Sequence, residues 1–271
     1  MFEKAKEAAE FIKSKSSHSP KVGLVLGSGL GVYADKIENQ EVIDYGDIPH
    51  FHKTSVVGHA GKLILGTVQG VNVVAFQGRF HAYEGHDLET VCLPVRVMKA
   101  LGCEMVILTN ASGGINPNYV PGDLVAITDH LNMTGRNPLV GKNDDELGPR
   151  FPDMTETYNI EMRLLAKKAA SEMGVDLKDG IYTGVMGPTY ETPAEIQMYK
   201  KLGGDLVGMS TVPEAIAAHH AGLKVLGIAC VTNLAAGISK EKLDHADVKE
   251  VANKAIAKFS NLLTETVKHI G

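Results

Sequence analysis

What most constrains this chain is a pattern that recurs along it: short, uniformly apolar runs that stop at glycine or a small polar residue. Residues 22–26 run into Gly27-Ser28-Gly29-Leu30-Gly31, residues 71–76 into Gln77-Gly78-Arg79, and residues 105–109 into Asn110-Ala111-Ser112-Gly113-Gly114. Residues 206–209 and 225–232 end at Ser210 and Asn233. A strand that is apolar at every position must be covered on both faces, as strands inside an α/β sheet are. Further runs at 62–68, 124–128 and 181–186 read as strands in the same way.

Helical periodicity occupies the intervals, at 2–15, 89–101, 158–173, 193–202, 212–221 and 247–269. Strands interleaved with helices specify an α/β fold. With 271 residues the chain is near the upper size for one hydrophobic core, so residues 1–271 are expected to form a single domain. Thr192-Pro193-Ala194-Glu195 is a capping box with proline at the first helical position. His219 and His220 precede Gly222 in a last helical turn, where imidazoles complement the helix dipole. Residues 132–152 form the longest irregular stretch, of a length usually tied to function, and are expected to act as a flap over the site.

Charge narrows the possible ligands. Lys plus Arg number 27 against 32 for Asp plus Glu, a net charge of -5, so the chain exerts no general pull on nucleic acid or an anionic membrane. An anion must be caught locally, and the forked guanidinium suited to that task exists only at Arg79, Arg96, Arg136, Arg150 and Arg163. Cys92, Cys103 and Cys230 lack C-x-x-C spacing and lie in apolar stretches, which reads as reduced thiols in a cytoplasmic protein. The N-terminus has no signal-peptide core, and no stretch reaches the uninterrupted apolar length of a membrane span.

The densest cluster of reactive groups is Gly78-Arg79-Phe80-His81-Ala82-Tyr83-Glu84-Gly85. It follows an apolar run, and strand ends are where open α/β sheets place ligands. If the backbone stays extended, Arg79, His81 and Tyr83 share one side of it, and the set suits an oxyanion beside a hydroxylated group. Gly27-Ser28-Gly29-Leu30-Gly31 is no dinucleotide fingerprint, because Val32 stands where the third glycine is required, and it lacks the Gly-Lys-Ser/Thr of a phosphate loop. Either a tight turn or a backbone cradle for a single anion remains. Glu191 beside Tyr190 could hold the edge and face of a heterocycle, or only favour a helix N-terminus. No H-E-x-x-H or C-x-x-C spacing points to a metal, and no motif points to covalent catalysis.

Taken together, these segments resemble the trimeric purine nucleoside phosphorylases. The resemblance includes Val57-Gly58-His59-Ala60-Gly61, Arg150-Phe151-Pro152, Gly187-Pro188-Thr189-Tyr190-Glu191-Thr192 and Gly208-Met209-Ser210-Thr211-Val212-Pro213-Glu214, and runs from the glycine loop to His245. It implies a central mixed sheet flanked by helices, and phosphorolysis of purine ribo- or deoxyribonucleosides to free base and α-sugar 1-phosphate in purine salvage. The co-substrate is inorganic phosphate, with no other cofactor. By position, Ser28, His59, Arg79, His81, the Ala111 backbone and Ser210 would bind phosphate, with Glu84 positioning these groups. Tyr83, Met209 and His245 would meet the sugar, and Glu191, Asn233 and Tyr190 the base. Phe151 would complete the site of a neighbouring subunit in a homotrimer. Asn233 would donate toward purine N7 as charge develops there, and Glu191 would accept from N1–H, implying a preference for the 6-oxopurines inosine and guanosine. Methylthioadenosine phosphorylases share this fold, but an acidic residue is expected there in place of Asn233.

Overall fold

The apolar runs are strands, and they join one sheet. In this computed structural model residues 2–52, 60–238 and 245–271 are described, with the side chains of all but 245–254 among them. The strands are β1 (Val22–Leu26), β2 (Glu38–Asp44), β3 (Lys62–Val68), β4 (Val71–Gln77), β5 (Met105–Gly114), β6 (Leu124–Asn132), β7 (Leu177–Gly184), β8 (Leu206–Gly208) and β9 (Lys224–Leu234). Their order is β2-β3-β4-β1-β5-β8-β7-β6-β9, and β9 also pairs with β5. The stretch from β5 to β9 therefore closes into a barrel-like core, while β1, β4, β3 and β2 extend from it as an open wing. β1 runs parallel to β4 and β5, whereas β3–β4, β5–β8 and β6–β9 are antiparallel. The sheet is mixed, as the resemblance implied.

Neighbouring strand residues feed opposite layers, because side chains alternate across a pleat. Val25, Val74, Phe76, Val106 and Leu108 pack into one apolar layer, and Leu24, Leu26, Val73, Ala75 and Ile107 into the other. The first layer is roofed by α1 (Phe2–Lys15), α3 (Leu93–Leu101) and α6 (Val212–His220), the second by α4 (Ile160–Glu172) and α7 (His245–Ile270). Each aliphatic side chain fully buried in this way contributes roughly 1.5–3 kcal/mol.

Several elements differ from the sequence expectation, among them β6, which runs on past residue 128 to Asn132, and β7, which covers Leu177–Gly184 and not 181–186. β2 has no apolar run because it is an edge strand, mostly exposed, that pairs only with β3 in the sheet order. The helix expected at 89–101 is two, α2 (Leu88–Val91) and α3, divided at Cys92; Pro94 lacks the N–H and clashes with a continuous helix at that point. β5 continues through Gly114 instead of stopping at Thr109, since its polar residues remain paired with β9 on one side and, at Gly113 and Gly114, with β8 on the other.

The histidines of α6 sit in its last turn, as expected, and make a further contact there. His220 Nε2 lies 3.0 Å from the Pro149 carbonyl and His219 Nε2 2.7 Å from that of Asp153, so the rings tether the end of the irregular stretch and the residue just after it to the helix. Among the described residues no helix is long and apolar enough to cross a membrane.

Candidate active site

Strand ends from both halves of the chain converge on a cavity of about 270 Å³. Its lining includes Ser28, Arg79, His81, Tyr83, Ala111, Tyr190, Glu191, Met209, Ser210 and Asn233, so ten residues singled out from the sequence meet in one place. Glu84 stands behind His81: its Oε1 accepts from the His81 backbone N–H at 2.8 Å and lies 3.1 Å from Nδ1. Such a carboxylate fixes the ring's orientation and tautomer. His59 lies outside the described residues, as does the side chain of His245, whose backbone begins α7. Phe151 is elsewhere, 87% exposed.

The expected extended alternation of Arg79, His81 and Tyr83 is not how they meet. Gly78 turns the chain at φ 116° and residues 82–84 form a 3-10 turn closed by left-handed Gly85. The turn stacks Tyr83 on His81, with ring centroids 4.6 Å apart and planes 19° from parallel. Burial first, and the Glu84 carboxylate next, raise the Tyr83 phenol pKa above its ordinary value, so it is a neutral hydrogen-bonding group at physiological pH.

Arg79 is 3% exposed and locked in place. Its Nε donates to Glu214 Oε1 at 3.2 Å, and Nη1 donates to the Thr109 carbonyl at 2.8 Å and to Ser210 Oγ at 3.3 Å. Gly27 makes this possible: a Cβ there would stand 2.6 Å from the Thr109 carbonyl and 3.1 Å from Nη1. The glycine loop is thus a close-approach device that brings Ser28 to the cavity.

Glu191, just before the capped helix α5 (Pro193–Lys201), is partly buried, and that burial raises its pKa, with Glu195 adding a smaller like-charge effect. The capping box is formed as the sequence implied, with Thr192 Oγ1 accepting from the Glu195 N–H. Asn233 sits on β9 opposite Gly113 of β5, and its Nδ2 donates to the Leu234 carbonyl at 3.1 Å. Strand β5 therefore acts as a ruler. Thr109 holds Arg79 and Gly113 faces Asn233, four residues further on, a separation of up to about 13 Å at 3.3 Å per residue. That span suits an oxyanion, a sugar and a flat base in sequence.

Residues 132–152 do not cover this cavity. They line a separate groove of about 670 Å³ with Phe151 at its surface, tied to α6 by His220 at the Pro149 carbonyl and braced internally by Arg150 Nη1 donating to the Leu139 carbonyl. Asn110 and Thr232, which the sequence marks only as part of polar strand ends, acquire contacts here: Asn110 donates to Thr211 Oγ1 at 3.0 Å, and the Thr232 hydroxyl lies 2.9 Å from Asn233 Oδ1. Both sit beside residues already singled out, and the polar continuation of the apolar strand runs was the signal for them. No group of three or more His, Cys, Asp or Glu able to hold a metal occurs among the described residues.

The sequence matches the family model described as Phosphorylase superfamily over residues 21–268, and the chain belongs to that superfamily. It is 52% identical to purine nucleoside phosphorylase 1 of Bacillus subtilis (strain 168) over 267 residues, 98% of each chain. Among solved structures, the Schistosoma purine nucleoside phosphorylase in complex with hypoxanthine superposes with a TM-score of 0.92 at 39% identity, covering 98% of this chain and 96% of the other. The Schistosoma mansoni enzyme in complex with adenosine gives 0.91 at 38%, with the same coverage. Within the superfamily, the branch is that of the low-molecular-mass purine nucleoside phosphorylases.

Proposed function

We propose that the cavity binds inorganic phosphate against Ser28, Arg79, His81, the Ala111 backbone and Ser210, and a 6-oxopurine nucleoside against Tyr83, Met209, Tyr190, Glu191 and Asn233. The reaction is phosphorolysis of a purine nucleoside to free base and ribose 1-phosphate. The observation that carries the residue assignment is the ruler: a buried, immobilised guanidinium at Thr109 and an amide at Gly113 of the same strand.

The chemistry follows from charge. As the bond from C1′ to the base breaks, its electron pair leaves with the purine and the sugar gains oxocarbenium character. Phosphate stabilises that cation and then forms the new C–O bond, giving the α-anomer. Asn233 hydrogen-bonds at N7 of the leaving base, and Glu191 accepts from N1–H of inosine or guanosine. Adenine lacks that proton and would leave a partly desolvated carboxylate poorly paired, a mismatch that sites of this kind reject by as much as about 10⁴-fold. His59 and His245 keep their family roles in this reading, at phosphate and at the 5′-hydroxyl.

Phe151 completes the site of a neighbouring copy in a homotrimer. Its exposure and its distance from its own chain's cavity lining support this, together with the groove beside it. The reduced thiols fit a cytoplasmic enzyme of purine salvage, acting as a single domain without a bound cofactor.

The test is to follow inosine and adenosine absorbance with and without phosphate. Strictly phosphate-dependent cleavage of inosine, with far slower turnover of adenosine, is expected. Comparable rates for the two nucleosides would overturn the base assignment, and cleavage without phosphate would make the protein a hydrolase.

A further inference from the structure

Glu214 does not line the cavity; it lies behind Arg79 at 2% exposure. It occupies the third position of α6, where a glutamate ordinarily caps the helix by accepting from the N-cap N–H. Oε2 does this, accepting from the Thr211 N–H at 2.9 Å. Oε1 does something a cap does not require, accepting from Arg79 Nε at 3.2 Å. One carboxylate thereby ties the guanidinium to the backbone that carries Ser210.

That backbone is strained. Thr211 has φ 69° and ψ -49°, and the Val212 N–H donates to the Ser210 carbonyl at 2.7 Å. This is a γ-turn with positive central φ, the rare and strained form, here centred on a β-branched residue. Besides Glu214, Asn110 Nδ2 braces it by donating to Thr211 Oγ1 at 3.0 Å, and Ser210 Oγ lies 3.1 Å from that same hydroxyl. Such strain persists only where the surroundings over-determine it, as at ligand-holding sites.

The other capping box of the chain shows what an ordinary one looks like. At α5, Glu195 accepts from the Thr192 N–H at 2.7 Å, in a box whose two members are both exposed. Burying a carboxylate as Glu214 is buried costs far more than a cap returns unless the charge is paired. The structure assigns Glu214 as a positioning residue for phosphate: it sets the distance between the Arg79 fork and the Ser210 hydroxyl, so that both meet one oxyanion. This rests on the reading of the cavity as a phosphate site.

Glu214→Gln tests it, because the variant is nearly isosteric but an amide has one acceptor oxygen for the two donors. Were Glu214 merely offsetting the arginine charge, removing its negative charge would strengthen phosphate binding. If it positions the fork, phosphate KM rises about tenfold or more while inosine KM stays within about twofold. Glu195→Ala, which removes the equivalent cap at α5, leaves phosphate KM unchanged. Thermal melts and circular dichroism establish that each variant is folded; should Glu214→Gln not fold, Glu214→Asp, too short to span both donors, is read in the same way. A lowered or unchanged phosphate KM in the folded variant, or equal rises in both KM values, overturns the assignment. Failure of the wild-type rate to saturate with phosphate would instead overturn the phosphate reading.

Discussion

The two sides of the proposed site, one for phosphate and one for the base, are built differently. Arg79, Glu214, Asn110 and Thr211 are buried and bonded to one another across elements far apart in sequence. Tyr190 is 86% exposed, Glu191 is partly buried on a loop, and Asn233 bonds its own neighbours Thr232 and Leu234. The first group is part of the hydrogen-bonded interior; the second is mounted on its edge. Phosphate is the same in every turnover, so a site fixed in advance loses nothing and avoids reorganisation. Bases differ, and groups at the edge can be exchanged without disturbing the core. Damage to the phosphate side should therefore cost stability and rate together, and damage to the base side only rate and selectivity.

Arg79→Ala tests the first half of that contrast and carries the largest expected effect. It strands the Glu214 carboxylate in the interior, at a cost of about 3–5 kcal/mol, and removes a preorganised donor, lowering the rate by about 10²–10³-fold. Urea unfolding and initial rates at saturating inosine measure the two effects. A variant that loses rate but keeps its unfolding midpoint would erase the distinction between the two sides.

Glu191→Gln probes the other half. Inosine kcat/KM should fall by about 10²-fold, short of the 10⁴ ceiling for a mismatched polar partner, while unfolding free energy stays within about 0.5 kcal/mol. Its pH dependence sharpens the point. In the proposed site the carboxylate must be ionised to accept from N1–H, and burial raises its pKa, so inosine kcat/KM falls as pH drops through a value above that of an ordinary glutamate. The Gln variant should lack that acid limb. An acid limb that persists unchanged would place the titrating group elsewhere.

The same contrast explains what the sequence disclosed. A doubly buried strand such as β1 is legible because burial on both faces excludes polar side chains. Edge strand β2 is not, since solvent accepts Glu38, Asn39, Gln40 and Glu41 as readily there as in a loop. In the site, Arg79, His81 and Glu191 stand out because their chemistry is scarce in an apolar setting. Glu214 passes as a helix cap, for its second bond, to Arg79, joins residues 135 positions apart, and no local pattern carries such a separation. The irregular length of residues 132–152 predicts a flap over the site, and the resemblance places Phe151 at a neighbour's site, yet both lie on a separate groove of their own chain; a contact across a subunit boundary would leave no trace in local spacing.

Tyr190 gives the smallest and most discriminating effect. It lines the cavity, yet most of its surface meets solvent, so its hydroxyl can be solvated whether or not a base is bound. What the ring offers a purine is an apolar face, worth about 0.5–1.5 kcal/mol in aromatic pairs. Tyr190→Phe keeps that face and should change inosine kcat/KM by less than about twofold, within the range of an exposed substitution. Tyr190→Ala removes the face and should cost about tenfold, at the upper end of the pairing energy. Both are read from initial rates at subsaturating inosine, with phosphate KM as the internal reference that should not move. If Tyr190→Phe matched the loss in Tyr190→Ala, the hydroxyl would be a fixed polar contact, and the base side would be built on the same plan as the phosphate side.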